Sequence, residues 1–413
     1  MNIRVLLASV LGNALEFYDF ALFGIFSAMF AKLFFAEQDQ FSGILSSLCI
    51  FAAGLLMRPL GSIFFGHFGD KIGRKKALSY SIIGMAFPTF LMGLLPTYAM
   101  IGIAAPILLT VCRLLQGFCA GGEDNGSAIF LMEHTAKKYE GFAGAFILSG
   151  SGIGTVVAMF MGYLTLQTDM PSWAWRIPFI LGFSVGLIGL YLRLKVGETP
   201  EFQKVKDRKE FVKLPLKEVI LKHPLTLITT IGIAGFGGSL AYSLVVYLSI
   251  HLNTVAHLPL GNSILYGMLG FAIYSVMLPI VGKLSDRFGK IGFMFCGTIL
   301  TILFIYPVFI ALQNGNFFVF IIAICCFITC FNAPRNAFLI NFYPVKYRYT
   351  GIAFSSSIGI AIFGGGMPII STILVKYTGN SAAPAFYLMF MALLATMALL
   401  VMKSKLIKPI RPL

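Results

Sequence analysis

The feature that most constrains this chain is a series of long apolar runs, each of about 20 residues, that recur along almost its whole length. One such run crosses a hydrocarbon core about 30 Å thick as a single α-helix. Strands of a membrane barrel would alternate in character over about 10 residues, and these segments do not. We therefore predict an all-α membrane protein with twelve transmembrane helices, over residues 5–33, 41–65, 77–97, 103–132, 141–166, 174–194, 223–250, 262–284, 291–312, 317–341, 350–375 and 382–402.

Composition indicates that lipid is the main solvent of the exterior. Only 11% of the 413 residues are charged, against about 25% in soluble domains. Glu16 and Asp19 lie inside the first apolar run, which also lacks a small-residue cleavage site, so we interpret it as a helix rather than a removed signal peptide. The seven cysteines show no metal-type spacing with histidine, and no phosphate-loop motif occurs in the sequence. We expect no metal, no cofactor and no ATP-driven step.

The distribution of basic residues predicts the orientation. A net charge of +15 could suggest a nucleic-acid partner, but 25 of the 31 Lys and Arg residues fall on one side of the membrane if both termini are cytoplasmic. Only Lys32, Arg176 and Lys376 fall on the other side. Positively charged loops remain in the cytoplasm, where they face anionic headgroups. We predict a multi-pass protein of the bacterial inner membrane, with cytoplasmic termini and no nucleic-acid partner.

A polar stretch divides the chain into two similar parts. The loop GHFGDKIGRKK after helix 2 has a counterpart, GKLSDRFGK, after helix 8, and Asp70 and Asp286 occupy equivalent places in them. Duplicated halves are typical of secondary transporters that rock around a site at the membrane midplane. We predict two six-helix bundles over 1–196 and 223–413, joined by a cytoplasmic linker over 197–222.

Several motifs carry a family resemblance. Gly66, Asp70, Gly73, Arg74 and Lys75 fill the loop pattern G-x-x-x-D-x-x-G-R-[RK]. GNALEFYDFALFG in helix 1, RLLQGFCAGGE in helix 4, GETPEF after helix 6 and FYPVKYRYTG before helix 11 accompany it. With these motifs the chain resembles the major facilitator superfamily, and within it the metabolite:proton symporters, which include proline/betaine, α-ketoglutarate, citrate and shikimate transporters. The resemblance implies two pseudosymmetric bundles and transport by alternating access, and it leaves the solute open.

Seven ionisable side chains lie at membrane depth, where each costs at least about 2.5–3.5 kcal/mol on insertion scales and so calls for a partner or a use. They are Glu16, Asp19, Arg58, Arg113, Glu123, Asp124 and Arg335. Asn13, Glu16 and Asp19 are spaced three apart on one face of helix 1. Because the two carboxylates repel when both are ionised, we expect at least one of them to carry a proton. The alternative is that Asp19 pairs with an arginine and only holds helices together.

Helix 4 presents a second polar face. Arg113, Gln116 and Asp124 share one stripe, which Glu123 borders, and we expect this stripe to face a central cavity. The family resemblance links this helix to proton translocation. We predict a coupling network of Arg113 with Glu16, Asp19 or Glu123; a purely structural ion pair is the alternative.

We expect the solute to contact both halves of the protein. Arg335 is a fixed cation in the C-terminal half, opposite the carboxylates of the N-terminal half, and this arrangement suits a zwitterion or a polycarboxylate. Alternatively, Arg335 extends to the cytoplasmic interface, and Arg58 is explained as well by packing as by binding. The candidate substrate-binding residues are Asn13, Tyr18, Arg58, Gln116, Asp124 and Arg335.

The resemblance also implies a cytoplasmic gate. Asp70 and Arg74 would close it by contacting the other half, including the N-terminus of helix 11, where the helix dipole attracts an anion. Asp286 and Arg287 would do the same by pseudosymmetry. A loop that only sets the orientation in the membrane is the alternative.

These features favour a proton-coupled importer of a small organic acid or zwitterion, working in the bilayer as a monomer. The alternatives are a uniporter or exporter of a small solute, or a carboxylate-siderophore transporter of the same fold. An enzyme would need a nucleophile, metal ligands or an acid–base pair clustered at an interface, and we find no such set in the sequence.

Overall fold

The computed structural model describes residues 3–36, 40–165, 169–254, 258 and 260–407. Twelve helices within this part of the chain are long and apolar enough to cross a membrane, which confirms the predicted spans. The ends of the predicted bundles, 1–2 and 408–413 with Lys408 and Arg411, lie outside the described residues. The helices are α1 Ile3–Phe34, α2 Gln40–Lys71, α3 Arg74–Leu94, α4 Ala104–Glu133, α5 Glu140–Thr165, α6 Arg176–Leu194, α7 Pro224–Tyr242 continued by Leu248–Thr254, α8 Leu260–Phe288, α9 Lys290–Gln313, α10 Phe317–Leu339, α11 Arg348–Gly359 continued by Gly365–Thr378, and α12 Pro384–Ile407.

The two equivalent loops follow one design. Helix α2 ends at Lys71 and α8 at Phe288, later than the predicted ends at 65 and 284. In each loop a glycine directly precedes the next helix, Gly73 with φ of 114° and Gly289 with φ of 105°. Only glycine adopts such angles readily. The chain therefore stays helical through the polar motif and reverses at the glycine, which places Asp70 and Asp286 on the last turns of rigid helices.

Two membrane helices of the second half change their winding. A π turn over Ser243–Tyr247 interrupts α7, and another over Ile360–Gly364 interrupts α11. The two helices also approach closely, because a Cβ atom built at Gly364 would lie 3.2 Å from the Cα of Gly238. π turns inside α-helices are rare and occur often at functional sites. Here both lie on helices that adjoin the centre of the protein.

The linker between the halves is helical in two places, Pro200–Asp207 and Pro215–Lys222. The first of these helices is capped by Thr199, whose Oγ1 accepts a hydrogen bond from Phe202 N at 3.2 Å. Each helix begins with a proline, a residue that the first helical position favours. The linker is therefore ordered, with two short helices between the halves.

The main contacts between the halves join α2 to α11 and α5 to α8. Small residues permit this closeness: Ser149 Oγ of α5 donates to the backbone oxygen of Ser275 on α8 at 2.7 Å. Interfaces rich in small residues let membrane helices pack at short range. The polar residues discussed next lie along and beside these interhelical contacts.

Candidate functional site

The two carboxylates of α1 have different partners. Glu16 forms a buried ion pair with Arg58 of α2. Asp19 lies within 2.5 Å of Thr89 Oγ1 on α3, which donates to its Oδ2. Both carboxylates are almost fully buried, and the second oxygen of each has no hydrogen-bond partner among the described residues. Helix α1 thus holds two acidic groups in separate environments, one paired with a fixed cation and one bonded to a hydroxyl.

Arg113 of α4 is connected to Asp19 through neutral side chains. Its Nη1 donates to Gln116 Oε1 at 3.3 Å, and Gln116 Nε2 donates to Thr89 Oγ1 at 2.8 Å. The guanidinium carbon lies 4.0 Å from the centre of the Phe20 ring, a cation–π contact. Arg113 also interacts electrostatically with Asp19. Arg113, Gln116 and Asp19 therefore lie in one buried cluster that joins α1, α3 and α4.

Glu123 lies apart from that cluster and pairs with a different arginine, and its part in proton coupling stays a prediction. Its Oε1 forms an ion pair of 2.7 Å with Arg193 Nη2 of α6, and its Oε2 accepts from Ser81 Oγ at 2.6 Å. Ser127 Oγ also donates to Glu123 at 2.7 Å. Sequence analysis did not single out Arg193 as a charge at membrane depth, whereas the structure buries it completely.

Two predicted substrate-binding residues are bonded within the N-terminal half. Asn13 Nδ2 donates to Ile147 O at 2.7 Å and to Ser151 Oγ at 2.6 Å, both on α5. Tyr18 OH donates to Pro178 O of α6 at 2.7 Å. Both side chains are buried by these contacts. The structure thus places Asn13 and Tyr18 in interhelical contacts within the N-terminal half.

Asp124 of α4 and Arg335 of α10 bring opposite charges of the two halves together. Both are about 4% exposed, and each acts on the other electrostatically, but they form no direct ion pair in the described structure. Asp124 Oδ1 has no hydrogen-bond partner in that part of the chain. Arg335 Nη1 donates to Asn332 Oδ1 at 3.2 Å. Burial excludes the alternative that Arg335 extends to the interface.

The contact between the end of α2 and the start of α11 is dense and polar. Asp70 Oδ1 accepts from Tyr349 N at 3.2 Å, and its Oδ2 accepts from Thr350 N at 2.9 Å and from Thr350 Oγ1 at 2.8 Å. Arg74 Nη2 donates to Val345 O at 2.6 Å. Asp70 therefore caps the N-terminus of α11, where unpaired amides and the helix dipole stabilise a negative charge.

The equivalent loop of the second half repeats half of this arrangement. Asp286 accepts from Gly141 N at 2.8 Å and from Phe142 N at 2.9 Å, at the N-terminus of α5. Pseudosymmetry predicted that Arg287 would contact the other half, and the structure does not show this contact. Arg287 is exposed, and its guanidinium carbon lies 5.3 Å from the centre of the Phe288 ring. Lys290 forms the ion pair instead, with Glu140 at 2.8 Å. One residue along the helix is about 100° of rotation, which directs Arg287 away from the interface.

Sequence reasoning missed several contacts at the start of α11. Glu133 and Glu201 both pair with Arg348 at the start of α11, the first at 3.0 Å. Tyr349 OH donates to Gly122 O at 2.6 Å, so a side chain of the C-terminal half lies inside the N-terminal half. The signal for these contacts was present in the GETPEF and FYPVKYRYTG motifs, but only the fold shows that they meet.

Two six-helix halves with buried charges between them and a polar contact at one end define a membrane transporter of the alternating-access type. The Major Facilitator Superfamily matches residues 10–329. The chain is 33% identical to the proline/betaine transporter of Salmonella typhimurium, over 99% of this chain and 85% of that protein. It is 31% identical to the citrate-proton symporter of Klebsiella pneumoniae, over 96% and 91%.

Among solved structures, the proton:xylose symporter XylE bound to 6-bromo-6-deoxy-D-glucose matches the fold with a TM-score of 0.78. The identity is 14%, and the match covers 97% of this chain and 95% of that one. The chain belongs to the Major Facilitator Superfamily. It is a multi-pass transporter of the bacterial inner membrane and not an enzyme.

Proposed function

We propose that this chain imports a small zwitterionic solute together with protons, and that Asp124 and Arg335 bind its two charged groups. The observation that carries this proposal is the pair itself: two buried, opposite charges from opposite halves that do not neutralise each other directly. Removing a charged group from water costs free energy unless a partner of opposite charge compensates for the lost solvation. A solute with a carboxylate and an ammonium group supplies a partner to each.

Arg335 suits the carboxylate because its guanidinium is planar and permanently charged. Asp124 suits the cationic group and would repel a second or third carboxylate at the same place. The relatives named as proline/betaine transporters carry solutes with one carboxylate and one cationic nitrogen, which supports a zwitterion over a polycarboxylate. A citrate-proton symporter is also a relative, so a carboxylate is the group that the named solutes share.

Asp19 is our candidate for the group that carries the proton. Its Oδ2 accepts from a neutral hydroxyl, and its Oδ1 has no hydrogen-bond partner among the described residues. Glu16, by contrast, is paired with Arg58. Protonation of Asp19 would remove its interaction with Arg113, so the charge balance between α1 and α4 would change with each proton carried.

The remaining parts of the proposal concern the orientation of the chain in the membrane, the movement of the two bundles and the oligomeric state. Both termini face the cytoplasm, and the bundles over 1–196 and 223–413 move relative to each other about the linker over 197–222. The contacts of Asp70 and Asp286 would break when the cytoplasmic side opens. A single chain contributes all the residues invoked, so we propose that the monomer transports.

Uptake into proteoliposomes under an imposed pH gradient tests the proposal. The panel is glycine betaine, proline, citrate and a neutral sugar, with the membrane potential clamped. We expect accumulation of a zwitterion that disappears when the gradient is collapsed. Accumulation that does not depend on the gradient for any transported compound would overturn proton coupling, and uptake of citrate without betaine or proline would overturn the choice of a zwitterion.

A further inference from the structure

An apolar groove lies on the cytoplasmic side between α2 and the linker helix Pro215–Lys222. Its volume is about 640 Å³. Phe64 and Phe68 form one wall, Leu216 and Ile220 form the other, and Lys217 stands among the lining residues. The groove belongs neither to the central charges nor to the ion pairs of the gate, and its chemistry is that of an acyl chain beside a positive charge.

The groove continues a surface that already faces lipid. Leu56, Leu60 and Phe64 are spaced four apart on α2 and are 68%, 53% and 45% exposed. On a membrane-spanning helix, such a stripe contacts acyl chains. Phe64 is both the last member of this stripe and a lining residue of the groove. An acyl chain that lies along α2 therefore has an uninterrupted apolar path into the groove.

The linker helix has the composition of a helix at a membrane surface. Leu214, Ile220 and Leu221 are exposed apolar residues on or beside it, while Val219 is buried against the protein. Exposed apolar side chains with lysines between them place a short helix at the boundary between headgroups and acyl chains. The helix therefore lies where a phospholipid of the inner leaflet could enter from its side.

The charges on the linker helix distinguish two lysines. Lys222 Nζ lies 2.6 Å from Glu218 Oε2, and this hydrogen bond lowers the pKa of the Glu218 carboxyl. The charge of Lys222 is therefore locally balanced. Lys217 lines the groove and acts on Glu218 only at longer range and more weakly than Lys222, with no direct ion pair among the described residues. A negatively charged headgroup at the mouth of the groove is the complement to Lys217.

We propose that the groove between α2 and the linker helix binds one anionic phospholipid of the inner leaflet, with an acyl chain along Phe64 and Ile220 and the headgroup at Lys217. The bound lipid stabilises the closed cytoplasmic side. Thr350 also lines the groove, and the same residue donates two hydrogen bonds to Asp70. The wall of the groove and the closed gate therefore share a residue, and separating α2 from α11 changes the shape of the groove.

Photo-crosslinking of lipids tests the binding site without reference to the transported solute. The full-length protein is placed in nanodiscs that contain traces of phosphatidylglycerol or phosphatidylethanolamine, each with a diazirine in one acyl chain. Adducts are located by peptide mass spectrometry. We expect phosphatidylglycerol to label peptides that contain 60–68 and 214–221 several times more than phosphatidylethanolamine does.

Two matched pairs of variants sharpen the test. Lys217→Gln should lower the phosphatidylglycerol adducts about fivefold, the factor expected for one lysine near a headgroup, while Lys222→Gln should leave them unchanged. Ile220→Trp fills the groove and should abolish the adducts there. Ile228 is an exposed apolar residue of α7 that does not line the groove, so Ile228→Trp should leave the number of adducts unchanged.

Hydrogen exchange then measures the effect on the gate. In nanodiscs with phosphatidylglycerol, the amides of Tyr349 and Thr350 should exchange several times more slowly than in phosphatidylethanolamine alone, and Lys217→Gln should remove the difference. Equal labelling by both lipids in the wild type would mean ordinary surrounding lipid. The absence of both adducts would mean that protein covers the groove. Either result overturns the proposal, whereas failure of proton-driven uptake would leave it intact.

Discussion

The two halves share a fold but distribute their charges very differently. In α1–α6, the structure buries Glu16, Asp19, Arg58, Arg113, Glu123, Asp124 and Arg193 within the bundle. In the described residues of α7–α12, Arg335 is the only carboxylate, lysine or arginine buried at membrane depth. Duplicated backbones thus carry unequal chemistry.

The difference teaches how one fold can separate two tasks. Proton transfer needs acidic groups in graded environments, and we propose that the N-terminal half provides them. Solute binding needs a stable anchor that does not titrate, and we propose that Arg335 of the C-terminal half is this anchor. The predictions below test this separation, in order of decreasing effect.

The largest effect is expected at the pair of Glu123 and Arg193. Glu123→Gln leaves a fully buried guanidinium without its carboxylate, which costs about 3–5 kcal/mol. The melting temperature of the protein in nanodiscs should fall strongly, and the double variant Glu123→Gln with Arg193→Met should recover part of the loss. If Glu123→Gln keeps its stability and loses only proton-driven accumulation, Glu123 belongs to the coupling group and our division of the N-terminal half is wrong.

Neutralising Asp19 should abolish coupling with little effect on binding. A gradient of one pH unit drives about tenfold accumulation for each proton coupled, since one unit is about 1.4 kcal/mol. With Asp19→Asn, the solute concentration inside the proteoliposomes should rise only to the concentration outside. Exchange of labelled for unlabelled solute should continue. If the Asp19→Asn variant still accumulates solute in proteoliposomes, another carboxylate carries the proton. Glu16→Gln is the variant to compare.

Replacing Arg335 should affect the solute and not the proton. Loss of a hydrogen bond to a charged group costs about 1.5–3 kcal/mol, so Arg335→Gln should raise KM roughly 10–100-fold. Arg335→Lys should lie between, because the charge remains and the planar geometry is lost. The control is Arg287→Gln, which removes an exposed arginine. An unchanged KM for Arg335→Gln would remove the C-terminal anchor from the proposal.

The smallest effect compares the two gate loops. Asp70 is 2% exposed and accepts three hydrogen bonds, whereas Asp286 is half-buried and accepts two. With about 0.5–1.5 kcal/mol for each net hydrogen bond, Asp70→Asn should weaken the closed cytoplasmic side more than Asp286→Asn. Hydrogen exchange at Thr350 and at Phe142 reports the two contacts separately. Equal effects would show that the pseudosymmetry of the two loops outweighs burial, and the reverse order would show that neither burial nor the number of hydrogen bonds sets the strength of these contacts.

Sequence reasoning predicted the spans and the two loops well, because their signals are local. An apolar run long enough for a bilayer has few other uses, and a motif repeated at Asp70 and Asp286 marks equivalent helix ends wherever the helices pack. Of the carboxylates, lysines and arginines that the described residues bury at membrane depth, it identified all except Arg193, which lies in the last turn of α6 and was indistinguishable by position from the basic linker that follows.

The amino-acid sequence by itself determined that this protein spans a membrane with two duplicated halves and carries costly charges within them. Only the tertiary structure decided which charges interact: Glu123 with Arg193 across 70 residues of chain, Glu16 with Arg58, and Asp124 at longer range with Arg58 and Arg335. The physical reason is that helical periodicity specifies the face on which a side chain lies, whereas its partner depends on which helix packs against that face.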